Sequence, residues 1–278
     1  MPKKQKRMIT RLPMTGASVR AALNPMRVGM PASDSILDTA QFTPKPGGPT
    51  YTVIRTSELD SYEPVPRALA KIMASKQAVG PRAVATALKA AAPTTDNFTG
   101  SARKAAKLSI ATGQVEQFAD LSAMVNSFAP DQSMIHHTPA ITTAATSKRV
   151  KEEQRNIRVK VFLYASSREA DNDFHVIIGR DPSLTPELYM TMEVSGLPPK
   201  SNPAFATLNT ARNAFKTFFG TNLPGTTYDC FHPPIPVEIE GSLFFDMTHA
   251  TGQRPGPQSL KSRMPTIFEV HPATSLKF

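Results

Sequence analysis

"PAFATLNTARNAFKTFFG", residues 203–220, is the stretch on which the fold turns. Pro203 suits the first turn of a helix and Gly220 suits its end, while Phe205, Leu208, Phe215 and Phe218 recur on one side. Three alternating, β-branched segments precede this helix: "IRVKVFLYA" (157–165), "DFHVIIGRD" (173–181) and "ELYMTMEVSG" (187–196). Two follow it, "PIPVEIEGSLFFD" (234–246) and "TIFEVHPATSLKF" (266–278). Their order, β-β-β-α-β-β over residues 157–278, predicts a five-stranded OB-like barrel with its helix between the third and fourth strands. An SH3-like barrel with an added helix or an open α+β sheet fits that helix position less well.

Alternation assigns the faces. Thr266, Phe268 and Val270 are expected to point into the barrel and Ile267, Glu269 and His271 outward. On the second strand His175 lies opposite Phe174 and Val176, and on the fourth Val237 and Ile239 point in, Glu238 and Glu240 out. Asp246 ends that strand with His249 three residues on. His175, Asp246, His249, Glu269 and His271 are therefore the candidate metal ligands: imidazoles and carboxylates suit a divalent ion that would activate a bound water for hydrolysis. Neither HExxH nor CxxC spacing is present, and the competing reading makes the same residues turn caps and surface groups. No Gly-x-Ser-x-Gly elbow marks a nucleophile, so no catalytic residue is assigned.

"DNDFHVII", "PVEIEGSLFFDMTHATGQRPGP" and "IFEVHPATSLKF" together resemble the C-terminal domain of an uncharacterised family of bacterial proteins. That family shows an Asp-x-Asp-x-His strand, a Gly-x-x-Phe-[Phe/Tyr]-Asp-x-x-His turn and a final Glu-x-His-Pro strand. The resemblance covers about 110 residues. It implies the domain and the polar set Asp173, His175, Asp246, His249, Glu269 and His271, and it names no reaction. Ile267-Phe268 before the final Glu departs from the family's pattern.

The chain has 278 residues, 40% of them hydrophobic, with 26 prolines and a net charge of +10. The excess positive charge lies in the first half: residues 1–30 hold seven Lys/Arg and no acid. Residues 1–65 read as a basic disordered arm and linker, with "FTPKPGGPTYTV" the composition of a turn; an organellar transit peptide is a second reading of the same charge pattern. Residues 66–129 read as an Ala-rich helical segment with Val115, Phe118, Leu121 and Val125 in an apolar stripe, able to dock on a protein partner. Residues 130–156, with His136-His137, read as a polar linker.

Lys3, Lys4, Lys6, Arg7 and Arg11 of the arm, with Arg254, Lys261 and Arg263 of the acid-free loop between the last two strands, are the candidate nucleic-acid or polyanion contacts. Tyr164, Phe174 and Tyr189 are the candidate stacking platforms of a single-strand binder. The acidic loop "SSREADND" opposes that use. Cys230 is the sole cysteine, so no disulfide forms within the chain. No run of about 20 apolar residues and no signal h-region is present, so a cytoplasmic protein without a membrane span is expected. A non-enzymatic binding protein without a cofactor is the first functional expectation, and a metal-dependent hydrolase the second.

Overall fold

The computed structural model describes residues 29–60, 80–90, 92, 95–251 and 254–278, together with positions 70, 71 and 74. The chain divides into units Met1–Met30 and Pro31–Phe278, and the architecture is that of the second. The basic arm residues Lys3, Lys4, Lys6, Arg7 and Arg11 lie outside the described residues.

Eight strands form one mixed sheet: β1 (Ile36–Phe42), β2 (Tyr51–Thr56), β3 (Val115–Gln117), β4 (Asn156–Arg168), β5 (Phe174–Gly179), β6 (Tyr189–Val194), β7 (Asp229–Phe245) and β8 (Phe268–Lys277). Five of them close on one another. β4 pairs with β5, β5 with β6, β6 in parallel with β8, β8 with β7, and β7 back with β4. These five are the strands expected from alternation, in the expected order. Val159, Val161, Phe174, Val176, Met192, Val237, Ile239, Phe268 and Val270 meet in one buried core, as period-2 patterning requires. Gly241 lets β7 and β8 cross, since a Cβ there would lie 2.5 Å from Val270 Cγ1.

The helix between β6 and β7 runs Phe205–Phe219, with Asn202 Oδ1 accepting from Ala204 N at 2.8 Å and Gly220 at φ 53° after its last turn. Phe215 packs on Phe174 with ring centroids 4.8 Å apart, and Phe219 on Phe231 at 5.1 Å. Its interior also holds Arg212, fully buried, which donates to Asp96 Oδ1 at 2.9 Å and to the carbonyls of Val194 and Ser195.

Three expectations are corrected. Residues 36–42 and 51–56 are a β-hairpin rather than linker, and β2 adds to the edge of β7; the Pro-Gly composition belongs only to the turn between them. The segment 66–129 is helical at Pro81–Ala90, and beyond residue 95 it breaks into the short helices Lys104–Lys107 and Leu121–Val125 and the strand β3. Most of residues 61–79 lie outside the described residues. Residues 130–156 contain a helix, Asp131–Ile135, and two buried charges, Arg149 and Glu153, so they are part of the packed body.

Residues 95–111 form a cover over the outer face of the ring at β5, β6 and β8. Phe98 N donates to Leu197 O at 2.9 Å, Leu197 N to Asp96 O at 2.7 Å, and Thr99 N to Asp171 O at 2.9 Å. Gly196 permits this approach: a Cβ on it would lie 2.8 Å from Phe98 Cα. Because the obstructing atom is backbone, Gly196→Ala is expected to cost roughly 1–3 kcal/mol, read as a lower urea midpoint at unchanged m-value. An unchanged midpoint would show that the cover is not seated there.

Candidate metal centre

Three neighbouring strands of the ring each place a polar pair at i and i+2 on the outward face. Asp173 and His175 stand at the start of β5, Thr191 and Glu193 on β6, and Glu269 and His271 on β8. Register aligns them: His175 is opposite Glu193, and Thr191 is opposite Glu269. Since side chains two residues apart share a face, the ring builds a grid of imidazoles and carboxylates.

Outward proves not to mean solvent. His271 and Asp173 are 0% exposed and His175, Glu193 and Glu269 1–2% exposed, because the cover lies over them. The surface-residue reading of Glu269 and His271 is thereby corrected. Ile267, also expected to face outward, is buried in the core. Lys107 reaches down from the cover, its Nζ 3.4 Å from Asp171 and 3.9 Å from Asp173. Two buried arginines hold the cover down. Arg103 makes a bidentate pair with Glu153 at 2.7 and 2.8 Å and donates to Phe245 O at 2.8 Å. Arg149 donates to Leu243 O, to Ala106 O and Ser109 O at 2.9 Å, and to His271 O at 2.6 Å.

Among the described residues, two groups of three bring their donor atoms within 4.8 Å of one another: Glu193, Glu269 and His271, and Asp60, Glu169 and His175. They touch through His175, whose Nδ1 is 2.9 Å from Glu193 Oε1 and 2.8 Å from Glu169 Oε1. Of the five residues expected as ligands, His175, Glu269 and His271 fall in these groups. Asp246 and His249 pair with each other at 3.3 Å beside them, and Asp246 also caps its turn by accepting from Thr248 N at 2.8 Å. Glu193, Asp60 and Glu169 were not expected. Glu193 had a signal, as the third polar–apolar–polar triplet ("TME"). Asp60 and Glu169 come from loops, where no period exists to read.

Burial sets the protonation of the first group. It drives Glu269 well above the carboxylate range, helped by Asp246 and Glu193, and drives Glu193 to about 8, helped by Glu169 against the pull of His175. Burial and the neighbouring Asp171 likewise raise Asp173 against Lys107. Burial, with the cations Lys107 and Arg149 nearby, pushes His271 well below its usual value. His271 is therefore neutral. Its Nδ1 lies 3.2 Å from Glu269 Oε1, so a proton there can be donated to that carboxyl. Its Nε2 then presents a lone pair, makes no hydrogen bond, and sits 3.4 Å from Asp173 Oδ2, which makes none either. Glu193 Oε2 is a third buried atom without a hydrogen bond. Facing polar atoms at this depth demand a proton or a cation between them; the raised Asp173 carboxyl supplies the proton, which a bound cation would displace.

The expected nucleic-acid contacts fare differently. Arg254 is paired with Asp131 at 2.8 Å and Arg263 with Glu187 at 2.6 Å, whereas Lys261 of that trio forms no ion pair among the described residues. Of the stacking candidates, Phe174 is core, and Tyr164 and Tyr189 are buried edge-to-face on each other at 4.8 Å. His137 bonds Pro139 O and Glu152, away from the centre.

Compared with protein-family models, with curated proteins and with solved structures, the chain matches none. No helix among the described residues is long and apolar enough to cross a membrane.

Proposed function

We propose that this chain is a metalloprotein: an OB-like five-strand ring whose outer face holds a divalent cation on Glu193, Glu269 and His271, with Asp173 beside it. The observation that carries it is His271 Nε2, Asp173 Oδ2 and Glu193 Oε2, all buried without hydrogen bonds where Glu193, Glu269 and His271 gather their donor atoms. Oxygen-rich donors with one imidazole suit a hard or borderline ion such as Mn²⁺, Fe²⁺ or Zn²⁺. Such an ion lowers the pKa of a bound water, the first step of hydrolysis. With every ligand under the cover, the closed arrangement serves cation binding and stability, and hydrolysis of an external substrate requires the cover to lift.

The polyanion-binding reading has less support, because two of its three loop cations are paired with acids of the same chain. It then rests on the arm.

Mn²⁺ titrated into chelator-treated protein, with free Mn²⁺ followed by its electron paramagnetic resonance signal, tests the proposal. Saturable binding is expected, weakened at least ~10-fold by His271→Ala, the scale on which a lost or misoriented ligand acts. A folded protein that leaves the Mn²⁺ signal unchanged would end the proposal.

A further inference from the structure

We propose that Asp60, Glu169 and His175 form a second divalent-cation site, joined to the first through the His175–Glu193 contact, so that the domain carries a pair of ions. The inference rests on the metalloprotein reading and extends it. The three residues come from distant parts of the chain: Asp60 follows β2, Glu169 sits in the β4–β5 turn, and His175 is on β5. Their donor atoms nevertheless gather within 4.8 Å.

Two observations point to a ligand. The first is His175 Nε2, on a side chain 1% exposed, which has no hydrogen-bond partner and faces Asp60 Oδ2 at 3.7 Å. Its other nitrogen, Nδ1, is held by the carboxylates of Glu193 and Glu169 at 2.9 and 2.8 Å. A ligating histidine is commonly held in this way, one nitrogen fixed by a carboxylate and the other turned to the ion. The second is the donor set. Asp60, Glu169 and Glu193 surround one imidazole, with His249 and Tyr228 the other titratable groups acting on Asp60. Carboxyl oxygens gathered from three separate parts of the chain around one buried imidazole are the kind of ligand set a divalent cation takes. Asp60 is also oriented in advance, since its Oδ2 accepts from Tyr228 Oη at 2.8 Å and from Gly256 N at 3.1 Å.

Glu193 links the sites. Its Oε1 meets His175, while its Oε2 makes no hydrogen bond, and Glu193 belongs to the first group of residues. One carboxylate thus orients a ligand of the second ion and ligates the first. Donor chemistry is alike at both sites, two carboxylates and one imidazole, so both are expected to take the same class of ion.

Elemental analysis of the full chain, saturated with Mn²⁺ and passed through a desalting column, reads the stoichiometry. Two ions per chain are expected in the wild type and one in Glu169→Gln, whose side chain is 13% exposed and so alters the packing little. One ion in the wild type would overturn the second site and leave the first. No ion would overturn both. Two ions retained by a folded Glu169→Gln would show that this carboxylate is not a ligand, and would overturn the site as drawn. The wild-type count alone decides the inference should the variant fail to fold.

Discussion

Glu153→Ala is expected to lose about 3–5 kcal/mol of stability, a large part of what holds a domain of this kind together. The Glu153 carboxylate is 0% exposed. It takes both prongs of the Arg103 guanidinium and also accepts from Phe245 N and Val150 N, each at 2.8 Å. Truncation leaves a buried cation with only the Lys148 and Phe245 carbonyls and strands two backbone donors. Arg103 also lies over the Phe244 ring at 4.6 Å, so the loss reaches the strand beside the proposed metal centre. Guanidinium chloride denaturation measures it. A loss under 1 kcal/mol would mean that the cover is held by the Arg149 bonds instead.

Glu269→Gln is expected to act in the opposite direction on the metal-free protein, stabilising it near neutral pH within the roughly 0.5–2 kcal/mol that a single favourable substitution gives. Burial and the neighbouring carboxylates Asp246 and Glu193 keep the folded-state pKa of Glu269 well above its unfolded value. The folded chain thus holds a proton there that the unfolded chain releases. The resulting penalty is absent below the unfolded pKa of about 4.3 and grows as pH rises above it, up to the folded pKa. Glutamine carries no such penalty, so the gain is larger at pH 7 than at pH 5. The same substitution removes a proposed ligand and is expected to abolish stabilisation by added Mn²⁺. If Glu269 were only a hydrogen-bond partner for His271, the variant would lose stability with or without metal. Thermal melts at both pH values, each with and without Mn²⁺, separate the two cases.

The legible part of the fold is the part governed by period. The strands of the ring alternate because one face is core, and the Phe205–Phe219 helix announces itself by its apolar side and its Gly220 stop. The hairpin of β1 and β2 was illegible because its Pro-Gly turn dominates the composition and because β2 carries polar threonines at a half-buried position, Thr52, and a buried one, Thr56. The cover was illegible for a different reason. Its elements are only a few residues long and are fixed by the side chains of Arg103, Arg149 and Arg212 bonding distant carbonyls and carboxylates, and no periodic pattern records such bonds.

The candidate site divides along the same line. Asp173/His175 and Glu269/His271 could be read as i, i+2 pairs on one face of a strand. Whether that face met water could not, because the answer lies in Lys107 and its neighbours some 60 to 160 positions earlier in the chain. The acidic loop "SSREADND" shows the same limit. Read as a surface that repels phosphate, it instead turns Glu169 and Asp173 inward to His175 and His271.

Anomalous diffraction from Mn²⁺-soaked crystals, collected on either side of the manganese edge, is the most direct measurement of the central claim. A peak bounded by Glu193, Glu269 and His271 is the expected result. A map without density there, with the Lys107 ammonium drawn into the carboxylates in its place, would contradict it.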